Sequence, residues 1–119
     1  MATNTFGSLG TVKSSTNSLV QYRFVKYDGS YAATTDIPIG VLQEPTPADA
    51  STTAVAVQVA TRCNFKLKVT AGEAISAGAK VYLGSNGKVQ DTTDTNTFVG
   101  VAAEAAGADG DIIEIFPSF

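Results

Sequence analysis

Short runs of alternating apolar and polar residues, each closed by glycine, proline or an Asx residue, set the pattern of this chain. The clearest are Ala54 to Val59, with Val55, Val57 and Val59 on one face, and Asn64 to Val69, with Phe65, Leu67 and Val69 inward. A period of two marks a half-buried strand. Ser18 to Tyr27 reads as the first strand: Val20, Tyr22 and Phe24 share a face, and Gln21, Arg23, Val25 and Tyr27 the other. That second face is half apolar, which predicts cover on both sides or a contact between copies. Asp28-Gly29 and Asn86-Gly87 are hairpin signals, because a type I′ turn requires positive φ at both central residues. Ser30 to Thr35, Ile37 to Leu42, Lys80 to Leu83, Phe98 to Ala103 and Asp111 to Phe116 complete the strand set, with Val89 to Thr97 as an extended edge or long loop. Pro45 and Pro47 place Gln43 to Thr53 in a surface loop. Ala71 to Ala79 is bracketed by glycines and too short for a stable helix, so it is expected to hold a single turn.

Two stretches of the chain resemble each other. Ile39-Gly40-Val41-Leu42-Gln43-Glu44 corresponds to Val99-Gly100-Val101-Ala102-Ala103-Glu104, and each follows a turn glycine and a Thr-Thr-Asp run. Gly40 and Gly100 lie 60 residues apart and Gly29 and Gly87 58, so the second unit is expected to carry about two extra residues. Two copies are too few for an open solenoid but suit two halves of one closed β-domain. The expected architecture is therefore all-β: one small barrel or sandwich over residues 18–119, with similar halves at about 18–60 and 61–119. Residues 1–17 are Thr, Ser, Gly and Asn with scattered Phe6, Leu9 and Val12. Such a composition cannot offset its own ordering entropy, so it is expected to be a flexible N-terminal arm. Phe6, Leu9 and Val12 would be its anchors on a partner, and Val25, Tyr27 and Tyr31 the candidates for contact between copies.

Composition narrows the function classes. Of 119 residues, 44% are hydrophobic and only 16% charged, so Ser, Thr, Asn, Gly and Ala must cover much of the surface. Such a surface is cheap to desolvate in a large protein contact. The net charge of −3 argues against nucleic acid and anionic membrane as partners, both of which reward basic patches. No apolar run approaches the roughly 20 residues of a membrane helix. The start, Met1 to Gly7, has neither the charged head nor the apolar run of a signal peptide, so synthesis in the cytoplasm is expected.

No catalytic constellation is legible. The sequence has no histidine, which removes Ser-His and Cys-His pairs and the commonest metal ligand. Its one cysteine, Cys63, beside strand residues reads as a small buried hydrophobe. Glu44 and Glu104 occupy equivalent places and could approach each other, but an acid–base pair would also need a cleft with aromatic platforms. Asp91 to Asn96 and Asp109 to Asp111 carry oxygen ligands without calcium-loop spacing, and turn capping accounts for them. No enzyme, no metal and no cofactor is expected.

The second half, with Ala74-Ile75-Ser76-Ala77-Gly78, the strand Val81-Tyr82-Leu83, the hairpin Ser85-Asn86-Gly87-Lys88 and then Val99-Gly100-Val101-Ala102, resembles the capsid cement family of tailed phages, the small head decoration proteins. The likeness covers Val69 to Phe116 well and Phe24 to Val59 more loosely, the first half departing at Pro38, Pro45 and Pro47. It implies a structural virion protein on the outer capsid surface, partnered by the major capsid protein, and a homo-oligomer. By the same resemblance a trimer is favoured, with a dimer open. A stiff β-body, a low-charge surface and an end that orders on a lattice would suit that role, since an oligomer turns weak contacts into avidity. The alternative is a carbohydrate- or peptide-binding β-module on a virion or cell surface, which an exposed aromatic cluster in a groove would favour.

Overall fold

The structure, a computed structural model, describes residues 9–92 and 95–119. Nine strands run in chain order: β1 Leu9–Ser14, β2 Phe24–Val25, β3 Gly40–Leu42, β4 Val55–Ala60, β5 Leu67–Thr70, β6 Lys80–Leu83, β7 Val89–Gln90, β8 Phe98–Ala102 and β9 Ile112–Pro117. They form a four-stranded sheet, β1-β4-β3-β2, and a five-stranded sheet, β5-β9-β8-β6-β7. Both are antiparallel, and one of them is a half-barrel. The protein is all-β, and among the described residues the one helical element is a 3₁₀ turn at Ser85–Gly87. The turn expected within Ala71 to Ala79 lies at its end, where the Ala79 N–H donates to the Ser76 carbonyl at 3.1 Å directly before β6, and no helix forms there. Bridges from Ala71 to Val89 and from Ile75 to Ala106 hold that stretch against the second sheet instead.

The largest departure from the sequence reading is at the N-terminus. Residues 9–14 are not an arm but β1, paired along its whole length with β4, from Leu9 opposite Ala60 to Ser14 opposite Val55. Leu9 and Val12 are therefore sheet residues, and Phe6 lies outside the described residues. Composition misjudges this segment because its ordering is offset from elsewhere in the chain. β4 supplies backbone partners, Val12 packs beside a buried cluster, and the buried Ser14 hydroxyl donates to the Gly29 carbonyl at 2.9 Å.

The expected strand Ser18 to Tyr27 contracts to Phe24–Val25, because Ser18 and Tyr22 take left-handed φ values of 54° and 64° and break the extended run. The return strand contracts to one bridge, Val25 to Tyr31. Phe65 does not point inward. It precedes β5 in a turn and is 79% exposed.

The two sheets repeat one hydrogen-bond plan. The Tyr22 N–H donates to the Leu42 carbonyl at 2.7 Å as the Gly78 N–H does to Ala102 at 2.8 Å. Leu42 returns a bond to Arg23, and Ala102 to Ala79; likewise Gln43 donates to Gln58, and Ala103 to Glu114. The offset is thus 56 residues before the hairpin (Tyr22 to Gly78), 60 after it (Leu42 to Ala102) and 56 again on the last strand (Gln58 to Glu114). The second unit has four extra residues in its hairpin rather than about two, and the first has four extra in its Pro45–Pro47 loop. The two turn glycines are consequently not equivalent. Asn86 and Gly87 both have positive φ, as type I′ demands, whereas at Asp28-Gly29 only the glycine does. Gly40 and Gly100 do coincide: Gly40 faces Val25 across the ladder and Gly100 faces Val81. A side chain on either would strike a backbone carbonyl of the strand on its other side, Ala60 of β4 for Gly40 and Phe116 of β9 for Gly100.

The larger cluster of buried residues joins Phe24, Val41 and Ala60 of the first sheet to Val69, Val81, Leu83, Val99, Ile113 and Ile115 of the second. A smaller one, Leu19, Val25, Leu42, Val57 and Val59, covers the other face of the first sheet. Strands β2 and β3 are thus buried on both faces within one chain. Backbone bonds tie the halves: Thr70 N–H to Tyr22 at 2.8 Å, Gly87 to Ala32 at 3.1 Å and Thr97 to Thr34 at 2.9 Å.

Candidate interaction surface

The outward face of the second sheet carries side chains that no other part of the described chain covers. Directly opposed strand residues share a face, and here Lys80 opposes Val101, which opposes Phe116, in one row across β6, β8 and β9. Tyr82 opposes Phe98 in the next row. Phe98 and Val101 can both point outward because the β6–β8 register shifts between Val81 and Tyr82, leaving one extra residue on β8. Val99 takes the inward place and is fully buried. Toward β5, Phe116 meets Phe65 edge to face at 5.4 Å between ring centres, and the Lys66 ammonium stands 5.7 Å above the Phe116 ring. Tyr82 and Phe98 lie tilted at 5.7 Å.

A groove of about 380 Å³ opens at the Phe98 end of this face, lined by Ile37, Pro38, Ile39, Phe98 and Phe119 with Thr61, Arg62, Cys63 and Thr97. Ile37 is 82% exposed. Arg62 Nη1 donates to the Phe119 carbonyl at 3.2 Å, which holds the guanidinium at the rim. Phe119 itself is anchored inside, edge-on to Phe24 at 5.2 Å. Cys63 is exposed in this groove rather than buried, because β4 ends at Ala60 and the chain turns at Thr61 to Asn64.

The other singled-out residues fall elsewhere. Val25 is fully buried in the smaller cluster and so faces no neighbour outside the chain. Tyr31 is half-buried, accepts the Val20 N–H at its hydroxyl at 2.7 Å, and lies 5.3 Å below the Arg23 guanidinium. Tyr27, at the hairpin tip, is 79% exposed. The structure does not pair Glu44 with Glu104. Each accepts the N–H of the strand beside it, Gln58 at 2.9 Å and Glu114 at 3.2 Å, so each latches its own half. Asp111 caps Gly107 and Ala108, and among the described residues no three His, Cys, Asp or Glu side chains are close enough to hold a metal.

Charge is distributed unevenly. Two ion pairs occur among the described residues, Lys26 with Asp36 at 3.6 Å and Lys88 with Asp109 at 2.9 Å. The Lys88 hydrogen bond and charge hold the Asp109 carboxyl below the usual range. Burial, then the adjacent Glu73 carboxylate, pushes Asp91 up. Glu73 is held low, against its own burial, by the Asp91 N–H and the Thr92 hydroxyl. Arg62, Lys66, Lys68 and Lys80 make no ion pair among the described residues. They ring the outward face, where Glu114, opposite Lys68, is the one carboxylate of the central strands. Sequence reading misses this face, because the extra β8 residue puts Phe98 and Val101 out of alternation and Phe65 reads as core. The usable signal was Gly100 inside an apolar run, a mark of a bulge.

A family model described as phage cement protein matches residues 5–116. Among solved structures, the chain is similar to the crystal structure of the head fiber gp8.5 N base in bacteriophage phi29, with a TM-score of 0.70 and 24% identity over 92% of each chain. At that identity the likeness concerns the fold. No curated protein sequence matches.

Proposed function

The chain belongs to the phage cement protein family, a capsid-associated structural protein of the virion, and from that premise we propose that it binds the outer surface of the head and stabilises contacts between neighbouring major-capsid subunits. The observation that carries this reading is the family match over residues 5–116, nearly the whole chain. The shape supports it. The body measures 39 × 36 × 22 Å, a plate with two broad faces, so one can lie on a shell. The low charge and the exposed aromatic face lower the cost of burying a wide area. Catalysis has no place in this reading, in keeping with a sequence without histidine. Residues 2–8, with Phe6, are proposed as an additional contact to the capsid, and the working unit is a homo-oligomer, a trimer by preference.

The test uses particles assembled without the protein. Adding it back should saturate at a fixed ratio to major-capsid subunits and raise the temperature at which heads release DNA. Saturable binding with no gain in particle stability would remove the cement role, and no binding at all would remove the capsid partner.

The exposed Phe65, Phe98 and Phe116 also favour a second reading, a carbohydrate- or peptide-binding module. Sugars stack on aromatic faces but need convergent polar groups beside them, and beyond its apolar wall the groove offers Thr61, Thr97, Arg62 and the Cys63 thiol. Binding to glycan or peptide arrays with none to assembled shells would select it.

A further inference from the structure

We propose that the outward face of the second sheet is the face that meets the shell, and that it takes an acidic, apolar protein surface: carboxylates set around a protruding aliphatic or aromatic side chain. This rests on the cement reading above. Phe65, Phe98 and Phe116 stand exposed on one face, and lone monomers seldom present such a patch without use. Their rings already touch, Phe65 on Phe116 and Phe98 on Tyr82, so little side-chain freedom is left to lose on binding. Rigid aromatic anchors of this kind carry most of the energy at protein interfaces. The groove beside Phe98, about 380 Å³ and walled by Ile37, Ile39 and Phe119, can receive one large side chain from the partner.

Charge selects the occupant. The chain as a whole carries −3, yet this face has Arg62, Lys66, Lys68 and Lys80 against Glu114. Elsewhere, Lys26 and Lys88 are neutralised by their own carboxylates. A second copy laid face to face would oppose four cations to four, which costs rather than gains. A partner with carboxylates at the rim would pair with them and be steered toward them.

Binding to shells assembled without the protein is measured at about 50 and 500 mM salt, a range across which exposed charges become screened. Phe65→Ser with Phe116→Ser should weaken binding roughly a hundredfold, the scale of losing two anchors. Lys66→Glu with Lys68→Glu should weaken it by at least about tenfold at low salt and reverse the sign of the salt dependence. Lys13→Glu and Val20→Ser, exposed away from this face, should bind like the parent. Circular dichroism and melting curves identify any variant that fails to fold, and Lys66→Ala with Lys68→Ala then serves as the milder pair. Unchanged shell binding by both folded face variants would overturn the proposal while leaving the cement reading intact. So would a changed oligomer mass with unchanged shell binding, which would make this a face between copies. Failure of the parent itself to bind shells would defeat the cement reading and the proposal with it.

Discussion

Two glycines carry the architecture at the scale of single residues. A methyl group on Gly40 would sit 2.6 Å from the Ala60 carbonyl oxygen, and one on Gly100 would strike the Phe116 carbonyl. Neither obstacle is a flexible side chain; each is backbone held in a ladder, so relief means moving a strand. Gly40→Ala and Gly100→Ala should therefore each cost at least the roughly 1–3 kcal/mol of overpacking a core. Gly78→Ala and Gly110→Ala meet open space at positive φ and should cost only the left-handed penalty, about 1–2 kcal/mol. Denaturant unfolding of the four variants checks the ranking, and equal losses would mean that close approach is not what keeps Gly40 and Gly100. A second residue-scale expectation concerns pH. The Asp109 carboxyl is held low by Lys88, so its contribution is present above the ordinary carboxylate range and is lost as pH falls through the lowered folded value. Asp109→Asn should abolish that acid-side dependence. Carboxyl titration by NMR should find Asp109 below the ordinary aspartate range.

Among the elements, β1 separates what the chain needs to fold from what it can spare. It pairs six residues with β4, packs Val12 on the smaller cluster, and buries Ser14 against the Gly29 turn. Deleting residues 2–8 should leave the melting temperature within a few degrees of the parent. Deleting 2–14 strips β4 of a partner along six residues, uncovers the part-buried Val12 and removes the buried Ser14, and should lower the melting temperature well beyond the loss from 2–8. Equal melting of the two truncations would return β1 to the status of an arm. This element also shows what the sequence makes legible. The strands β4, β6, β8 and β9 can be read because alternation or β-branching is dense in them, and Gly40 and Gly100 because their flanks repeat. β1 cannot be read, for its polar composition is offset by a partner strand 41 to 51 residues away, from Ser14 opposite Val55 to Leu9 opposite Ala60. The same blindness hides the outward face, which depends on one extra residue in β8 and on Phe65 lying before β5 begins. It also misassigns Val25, whose half-apolar neighbourhood is covered by Leu19 and Val57 of the same chain.

For the whole molecule, the question is how a plate of this size holds a shell. One copy offers a single broad face, and a few exposed rings give modest affinity once the loss of rotational and translational freedom is counted. Linking copies changes that, because every contact after the first becomes intramolecular and the combined affinity can rise by about 10²–10⁴ without new chemistry. With Val25 buried, the contact between copies is expected at the hairpin tip, where Tyr27 is 79% exposed beside Lys26 and Asp36. An exposed tyrosine of this kind is the residue type that interfaces enrich. Tyr27→Ser should leave folding unchanged and shift sedimentation from an oligomer toward the 12.2 kDa chain. The same variant should lose avidity on particles while keeping the affinity of a single contact, so its binding curve should move to higher concentration and its release should quicken. A parent that sediments at 12.2 kDa both free and eluted from particles would leave the avidity account without a basis. Cement action would then have to arise from one chain spanning two capsid subunits across its 39 Å length.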